Sequence, residues 1–218
     1  MKDIFTTIYD HNYWGDPDSR SGTGSSLEQT AHLRLELEKL FQDLNIKSVL
    51  DIPCGDFHWM KDFSLINEIE YIGADIVDKI IEYNIENYQK ENISFRTLDL
   101  TQDSLPTTDL IIIRDCLVHF TFDKIEEAFT NLKNQEYKYA LITSFVERPS
   151  NADLHQIGEW RPLNLMKPPF ALPDPIKTIN EKCTEANGAF EDKSMCLWKK
   201  EDLDRLIFNT VSSFDLGI

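Results

Sequence analysis

The stretch Ser48-Val-Leu-Asp-Ile-Pro-Cys-Gly-Asp-Phe57 decides the fold of this chain. Its apolar residues predict a short buried strand that ends at the carboxylate Asp51 and is followed by a tight turn around Gly55. The stretch Tyr71-Ile-Gly-Ala-Asp-Ile76 repeats this pattern and ends at Asp75. Two such strands, with a crossover helix between them, predict an open α/β sheet that carries both carboxylates at one edge.

Strand-like and helix-like segments alternate along the rest of the chain. We predict strands over residues 48–52, 71–75, 93–98, 110–114, 139–145, 176–182 and 194–199. We predict helices over residues 27–44, 58–66, 78–88, 122–134 and 201–208. The alternation predicts parallel pairing with right-handed crossovers, and the last two strands predict a hairpin. The expected fold class is therefore α/β: a Rossmann-like, doubly wound, mainly parallel seven-stranded sheet with an antiparallel edge hairpin.

The expected domain organisation is a single domain over residues 1–218. Residues 1–45 are predicted to form an N-terminal helical extension, in which Ser26 and Gln29 form a capping box. Residues 146–175 contain six prolines, which are incompatible with a regular helix or sheet. We expect this segment to be an ordered substrate loop, because long irregular inserts in compact domains usually serve function.

Composition excludes several classes of function. The chain is 41% hydrophobic, as expected for a globular protein, and its formal net charge of −16 repels phosphate backbones. We therefore expect no nucleic-acid partner. No apolar run is long enough for a membrane span and no charged-then-apolar leader is present, so we expect a cytoplasmic protein. The four scattered cysteines fit neither a disulfide framework nor a zinc site, and no metal is expected.

Several motifs together resemble the class I S-adenosylmethionine-dependent methyltransferases. They are Asp51-Ile-Pro-Cys-Gly-Asp-Phe57, Asp75, Asp99 and Arg114-Asp-Cys-Leu-Val-His119. The resemblance covers roughly residues 48–145 and implies S-adenosyl-L-methionine as the cofactor. The first loop departs from the family pattern D-x-G-x-G-x-G, because proline and phenylalanine replace its first and third glycines. The Ser/Gly loop at residues 21–26 is then expected to help hold the methionine end of the cofactor.

A narrower resemblance concerns the acceptor. Ser21-Gly-Thr-Gly-Ser25 and Trp160-Arg-Pro-Leu-Asn164 resemble segments of methyltransferases that act in glycan and polysaccharide assembly in bacteria and large DNA viruses. This resemblance implies O-methylation of a sugar hydroxyl, a sugar or glycan acceptor, and glycosyltransferases of the same pathway as partners. Two alternatives stay open: a methyltransferase of a small metabolite or protein side chain, and a cofactor-binding module without catalytic activity.

The resemblance also assigns cofactor-binding residues. Asp75 is expected to accept hydrogen bonds from both ribose hydroxyls, or alternatively to cap the next helix. Asp99 is expected to lie beside the adenine amino group, or alternatively to start a turn before Thr101. Asp51 is expected either to contact the cofactor or to orient the loop. The full set is Asp51, Pro53, Gly55, Asp75, Ile76, Asp99, Leu100, Arg114, Trp14 and Ser25.

Catalytic residues are expected just past the fourth predicted strand, at the carboxyl edge where such sheets bind their substrate. His119 is the candidate general base, because an imidazole can remove a hydroxyl proton near neutral pH; the alternative is a packing role. Asp115 is expected either to orient that imidazole or to bind the acceptor. The acceptor-binding candidates are Glu147, His155, Trp160, Arg161 and Asn164. The alternative for two of them is a loop-anchoring tryptophan and a surface ion pair of the arginine.

Overall fold

A computed structural model describes residues 1–206 of the chain. Seven strands form one sheet in the order β3-β2-β1-β4-β5-β7-β6. Their bounds are β1 Ser48–Asp51, β2 Glu70–Asp75, β3 Ile93–Thr97, β4 Thr108–Ile113, β5 Tyr137–Phe145, β6 Lys177–Asn180 and β7 Lys193–Lys199. Strands β1 to β5 pair in parallel, whereas β7 is antiparallel to both β5 and β6. The predicted fold class, including the antiparallel edge hairpin, is confirmed.

Within residues 1–206, six helices connect or flank the strands. They are α1 Lys2–Asp10, α2 Ala31–Leu44, α3 Asp78–Tyr88, α4 Phe122–Lys133, a single turn α5 Glu185–Gly188, and α6 Lys200–Asp204. The last two residues of the predicted final helix, 207 and 208, lie outside the described residues. None of the helices within residues 1–206 has the length and apolar character that a membrane crossing requires.

Two predicted helices need correction. Helix α2 begins at Ala31 rather than at residue 27, because Ser26 closes a separate turn: its hydroxyl accepts from the Gln29 N–H, and its carbonyl accepts from the Thr30 hydroxyl. The predicted helix at 58–66 is wrong, since only the 3-10 turn Met60–Asp62 forms there. The apolar spacing in this segment serves burial against the sheet rather than a continuous helix.

The core lies on both faces of the sheet. Along the uninterrupted apolar run of β4, Ile111 and Ile113 pack into one cluster, whereas Leu110 and Ile112 pack into the other. A strand with both faces covered needs no polar alternation, which explains the sequence of this run.

Residues 146–175 form neither helix nor strand. They are nevertheless packed on the sheet, because Leu163 and Leu165 are fully buried and the Leu163 carbonyl accepts from the Phe145 N–H. The Asn164 amide donates to the Val146 and Arg148 carbonyls and thereby closes the start of the segment. Its assignment as a substrate loop remains a prediction.

Candidate functional site

One cavity lies at the edge of the sheet where β1, β2 and β4 end. All ten predicted cofactor-binding residues line it, together with Asp115 and His119. The N-terminal segment forms its opposite wall through Phe5, Tyr9 and Trp14. Sequence reasoning assigned only the last of these. The signal for Phe5 and Tyr9 in the sequence was their four-residue spacing, which puts both on one face of a short helix.

Asp75, at the end of β2, is buried and uses both carboxylate oxygens on backbone donors. Oδ1 accepts from the Val77 N–H at 3.0 Å, and Oδ2 accepts from the Gly55 N–H at 3.3 Å. Helix α3 has Val77 as its N-cap, so the alternative role of Asp75 as that cap does not apply. Burial raises the pKa of Asp75 to about 6, although these two N–H groups act in the opposite direction.

Asp51, at the end of β1, is held by a side chain of the neighbouring strand β2. The Tyr71 hydroxyl donates to Oδ2 of Asp51 at 2.7 Å. The carboxyl group is almost completely buried, and burial raises its pKa to about 7 despite this hydrogen bond and the charge of Arg114. Both strand-end carboxylates therefore lie in a low-dielectric wall of the cavity.

Asp99 forms the turn that the alternative interpretation expected. Its Oδ1 accepts from both the N–H and the hydroxyl of Thr101, and its Oδ2 accepts from the Gln102 amide at 3.3 Å. The side chain still lines the cavity between Leu98 and Leu100, which supply an apolar surface on either side. Adenine contact by Asp99 and Leu100 stays a prediction.

The loop after β1 is locked against the Ser/Gly loop of the N-terminal extension. Gly55 has φ of +53°, and a Cβ at this position would lie 2.1 Å from the Ser21 hydroxyl. Asp56 holds this contact, because its carboxylate accepts from the Ser19 and Ser21 hydroxyls and from the Arg20 N–H. This packing brings Ser21 and Ser25 to the cavity wall.

His119 lies in a 3-10 turn, Leu117–His119, that follows β4. Its Nδ1 is 2.9 Å from the Glu159 carbonyl oxygen, which can only accept, so Nδ1 carries the proton of the neutral ring. Trp14 stacks on the imidazole at 5.0 Å, and Phe5 meets it edge-on at 6.5 Å. Burial lowers the pKa of His119 below its ordinary value. These two observations leave the imidazole uncharged at neutral pH, with its lone pair on Nε2.

Asp115 lies at the same end of the cavity but does not contact the imidazole through a hydrogen bond. Its Oδ2 accepts from Lys193 Nζ at 2.6 Å and lies 3.3 Å from Arg114 Nη1. Burial by itself raises the pKa of Asp115, but these two cations outweigh it and hold the pKa at about 2. Of the two roles expected for Asp115, orienting the imidazole belongs instead to the Glu159 carbonyl.

The terminal nitrogens of Arg114 bind groups of the protein itself. Its Nη2 donates to the Gly24 carbonyl at 2.8 Å and to Glu181 at 2.6 Å, and its guanidinium lies over the Trp59 ring. Arg114 thus links the end of β4 to the Ser/Gly loop. Sequence reasoning missed Glu181 and Lys193, because only the strand order brings the edge hairpin to this end of the cavity.

The five predicted acceptor-binding residues do not line the cavity. Arg161 is buried, and its guanidinium donates to the carbonyls of Leu117, Phe120 and Ala152, which replaces the surface ion pair considered above. Asn164 is fully buried and bonded to backbone groups. Glu147 and His155 are exposed on the surface.

Trp160 is also exposed, with 42% of the residue accessible to solvent. It packs on Phe190 at 4.8 Å and on Phe145 at 5.8 Å between ring centroids. On either side of it, the Gly158 and Arg161 N–H groups donate to the His119 and Val118 carbonyls. The exposed tryptophan is therefore fixed to the turn that carries His119.

No family model matches the chain. Two curated proteins show sequence similarity to it. One is the tubulin-like protein TubZ of Bacillus thuringiensis subsp. israelensis, 26% identical over 196 residues. The other is the mRNA cap guanine-N(7) methyltransferase of Candida albicans, 23% identical over 103 residues. The matches cover 74% and 47% of this chain, which spans only 40% and 22% of those proteins.

Solved structures of methyltransferases share the fold. The N-methyltransferase NodS of Bradyrhizobium japonicum WM9 superposes with a TM-score of 0.56 at 14% identity, covering 79% of this chain and 96% of NodS. Human N-acetylserotonin methyltransferase, solved with SAM, gives 0.55 at 14% identity and covers 90% of this chain and 58% of that one. Phosphoethanolamine N-methyltransferase 1 of Haemonchus contortus gives 0.52 at 21% identity over 72% of this chain and 35% of that one. The chain therefore has the Rossmann-like fold that these methyltransferases share.

Proposed function

We propose that this chain is an S-adenosylmethionine-dependent O-methyltransferase. The observation that carries the proposal is Asp75, a buried carboxylate at the end of β2 that forms part of the cavity wall. A carboxylate at this place suits the two hydroxyls of a ribose, since each carboxylate oxygen has more than one lone pair to offer. The shared fold supports the same cofactor, because human N-acetylserotonin methyltransferase was solved with SAM.

The chemistry of the cavity fits this cofactor. Its walls carry four carboxylates, those of Asp51, Asp75, Asp99 and Asp115, against the two guanidinium groups of Arg20 and Arg114, so the balance of charge favours a cation over a phosphate. S-adenosylmethionine has a sulfonium and no phosphate, whereas nucleoside phosphates bring additional negative charge. The apolar side chains of Ile76, Leu98 and Leu100 provide surface for a flat base. The residues present therefore fit S-adenosylmethionine better than a nucleotide.

The reaction then depends on the residues around His119. The cofactor, when bound, supplies a methyl group activated by the positive sulfur. His119 takes the hydroxyl proton of the acceptor on Nε2, while its Nδ1–H stays bonded to the Glu159 carbonyl. The Asp115 carboxylate stabilises the imidazolium that forms, because the two charges attract. Trp14 and Phe5 cover the imidazole and keep water from it.

For the acceptor we propose a sugar hydroxyl, in keeping with the resemblance to glycan-associated methyltransferases. The ring of Trp160 offers a flat apolar surface for the C–H face of a sugar, and Phe190 extends it. The backbone bonds of Gly158 and Arg161 to the His119 turn support this proposal, because they fix the segment that carries Trp160 to that turn. Expected partners are a glycan acceptor and the glycosyltransferases that supply it.

Calorimetry with S-adenosylmethionine and S-adenosylhomocysteine tests the cofactor. We expect micromolar affinity for both and no heat with ATP or GTP at the same concentrations. Absence of binding on folded protein would overturn the proposal. The variant Asp75→Asn should bind both compounds more weakly. Asp123→Asn is its matched control and should bind them as the natural chain does, since Asp123 is an exposed carboxylate of α4 outside the cavity.

A panel of methyl glycosides, phenols and amines, assayed for S-adenosylhomocysteine formation, tests the acceptor. We expect turnover with glycosides, and a higher KM in Trp160→Ala without loss of cofactor affinity. Turnover with phenols or amines alone would support a small-metabolite methyltransferase. Cofactor binding without product from any acceptor, protein substrates included, would support a binding module.

A further inference from the structure

Four charged side chains from three strand ends meet beside the base. Arg114 and Asp115 follow β4, Glu181 follows β6, and Lys193 begins β7. The side chains of Arg114, Glu181 and Lys193 are only 4%, 2% and 5% exposed, whereas that of Asp115 is 28% exposed. Lys193 Nζ lies 2.6 Å from Asp115 Oδ2 and 3.7 Å from Glu181 Oε2. The edge hairpin thus brings a buried cation to the rim of the proposed active site.

Stability does not explain this arrangement well. Buried ion pairs lose much of their attraction to the desolvation of both partners, and apolar side chains of similar volume often serve as well or better. The cluster also leaves Glu181 Oε1 and Arg114 Nε buried without a hydrogen-bond partner among residues 1–206. A cluster with unsatisfied atoms beside a cavity points to a role in the chemistry of that cavity.

The surroundings of Asp115 show what the cluster achieves. The Asp115 backbone has φ of +51°, and its N–H donates to the Thr143 hydroxyl at 2.8 Å, so its position is fixed by β5. Both cations contact the same carboxylate oxygen, Oδ2. The Gly24 backbone closes over them, because a Cβ there would lie 3.3 Å from Lys193 Nζ and 3.4 Å from Asp115 Oδ2. Oδ2 of Asp115 is therefore held on the two cations, and no hydrogen bond joins Asp115 to His119 in the described part of the chain.

We propose that Lys193 is a positioning residue of the reaction: it holds the Asp115 carboxylate away from His119 and leaves the imidazole free to act as a base. This inference rests on the proposed function. A carboxylate that contacted the imidazole would favour its protonated form before the acceptor arrived, and a protonated imidazole cannot remove a proton. Held by Lys193, Asp115 still attracts the imidazolium once that forms.

The other charged groups around His119 do not replace Lys193. The imidazole faces the Glu159 carbonyl, the aromatic rings of Phe5 and Trp14, and the charges of Asp115, Arg161 and Lys193. Arg161 is committed to three backbone carbonyls. Arg114 is the second cation on Asp115, but it also pairs with Glu181 and the Gly24 carbonyl. Lys193 Nζ lies 2.6 Å from Asp115 Oδ2, whereas Arg114 Nη1 lies 3.3 Å from it, so Lys193 is the cation that holds this carboxylate more tightly.

The test compares the titration of His119 in four variants by proton NMR. In Lys193→Met we expect the pKa of His119 to rise by about one unit, since an opposite charge near an imidazole has an effect of this order. Lys193→Arg keeps the cation and should leave the pKa as in the natural chain. Lys138→Met, which breaks an exposed pair with Asp109, should also leave it unchanged. In Lys193→Met/Asp115→Asn the rise should vanish.

An unchanged His119 titration in folded Lys193→Met, or a rise that persists in the double variant, would overturn the inference. If Lys193→Met does not fold, Asp115→Asn alone still tests the proposal. In Asp115→Asn the pKa of His119 should fall, and an unchanged value would contradict the proposal. S-adenosylhomocysteine calorimetry on the natural chain separates the two failures. Binding without the expected titration shifts defeats the inference alone, whereas shifts without binding defeat the proposed function.

Discussion

The backbone oxygen of Glu159 lies 2.9 Å from Nδ1 of His119 and determines which nitrogen of the ring can act as a base. A carbonyl oxygen only accepts, so it retains the ring proton on Nδ1 and leaves the lone pair on Nε2. The same segment bonds its Gly158 and Arg161 N–H groups to the His119 turn. The proline-rich region is thus part of the structure that orients the candidate base.

Replacement of His119 by alanine is expected to lower kcat by about 10²- to 10⁴-fold, the usual contribution of a positioned general base. Cofactor affinity should stay unchanged, because Asp75 lies on another strand. His32→Ala on α2, outside the cavity, is the matched control and should retain full turnover. Steady-state kinetics at saturating cofactor measure both. A fully active His119→Ala would restrict this residue to packing.

The pH profile of the natural chain provides a related expectation. Burial lowers the pKa of His119, so the neutral base persists above that depressed value and is lost as the pH falls through it. The acid limb of kcat/KM, which reports the free protein, should therefore lie below the ordinary pKa of an exposed histidine. An acid limb above that value would show that the imidazole is stabilised in its charged form.

Asp75→Asn is expected to weaken S-adenosylhomocysteine binding by about 10- to 100-fold, since a charged acceptor of two hydroxyls is lost. In the natural chain, binding should also weaken as the pH falls through about 6, where the buried carboxyl takes up a proton. Calorimetry between pH 5 and pH 8 measures this dependence. The variant should lack it, and equal pH dependence in both proteins would assign it to another group.

Sequence reasoning located the strand-end carboxylates because their positions follow from local pattern and parallel topology. Asp51 and Asp75 each close an apolar strand, and parallel strands bring such ends to one edge. The same reasoning could not find Lys193, whose place beside Asp115 depends on β7 inserting between β5 and β6. Nor could it find the partners of Arg161, because backbone carbonyls leave no signature in a sequence. The false helix at 58–66 arose for a related reason: burial and helical periodicity can share one spacing.

Asp51→Asn is expected to stabilise the folded protein at pH 8 by up to about 4 kcal/mol, since one pKa unit corresponds to about 1.4 kcal/mol. Burial raises the pKa of Asp51 to about 7 from an ordinary 3.8. Between these values the native state keeps a proton that the unfolded chain releases, so stability falls as the pH rises. The uncharged amide removes this loss and can still accept from the Tyr71 hydroxyl.

Urea unfolding of the natural chain and of Asp51→Asn at pH 5 and pH 8 measures the difference. The two proteins should be closer in stability at pH 5, where the native carboxyl is protonated, than at pH 8. A variant that is destabilised equally at both pH values would show that the Asp51–Tyr71 contact outweighs the burial of charge.

Arg161→Met is expected to lower the free energy of unfolding by about 2 to 4 kcal/mol, because it leaves buried carbonyls without a charged donor. Two of those carbonyls, of Leu117 and Phe120, lie at the two ends of the turn that carries His119. We therefore expect kcat to fall as well, while affinity for S-adenosylhomocysteine is kept.

Arg34→Met is the matched control for this variant. Arg34 also donates to backbone carbonyls, those of Leu27 and Asp62, but on α2 and away from the His119 turn. It should lose stability without loss of kcat. Arg161→Met could instead keep its stability and raise only the KM of the acceptor. That result would show that the guanidinium binds the acceptor, as the sequence predicted. The His119 turn would then be anchored by the backbone contacts of Gly158 and Glu159.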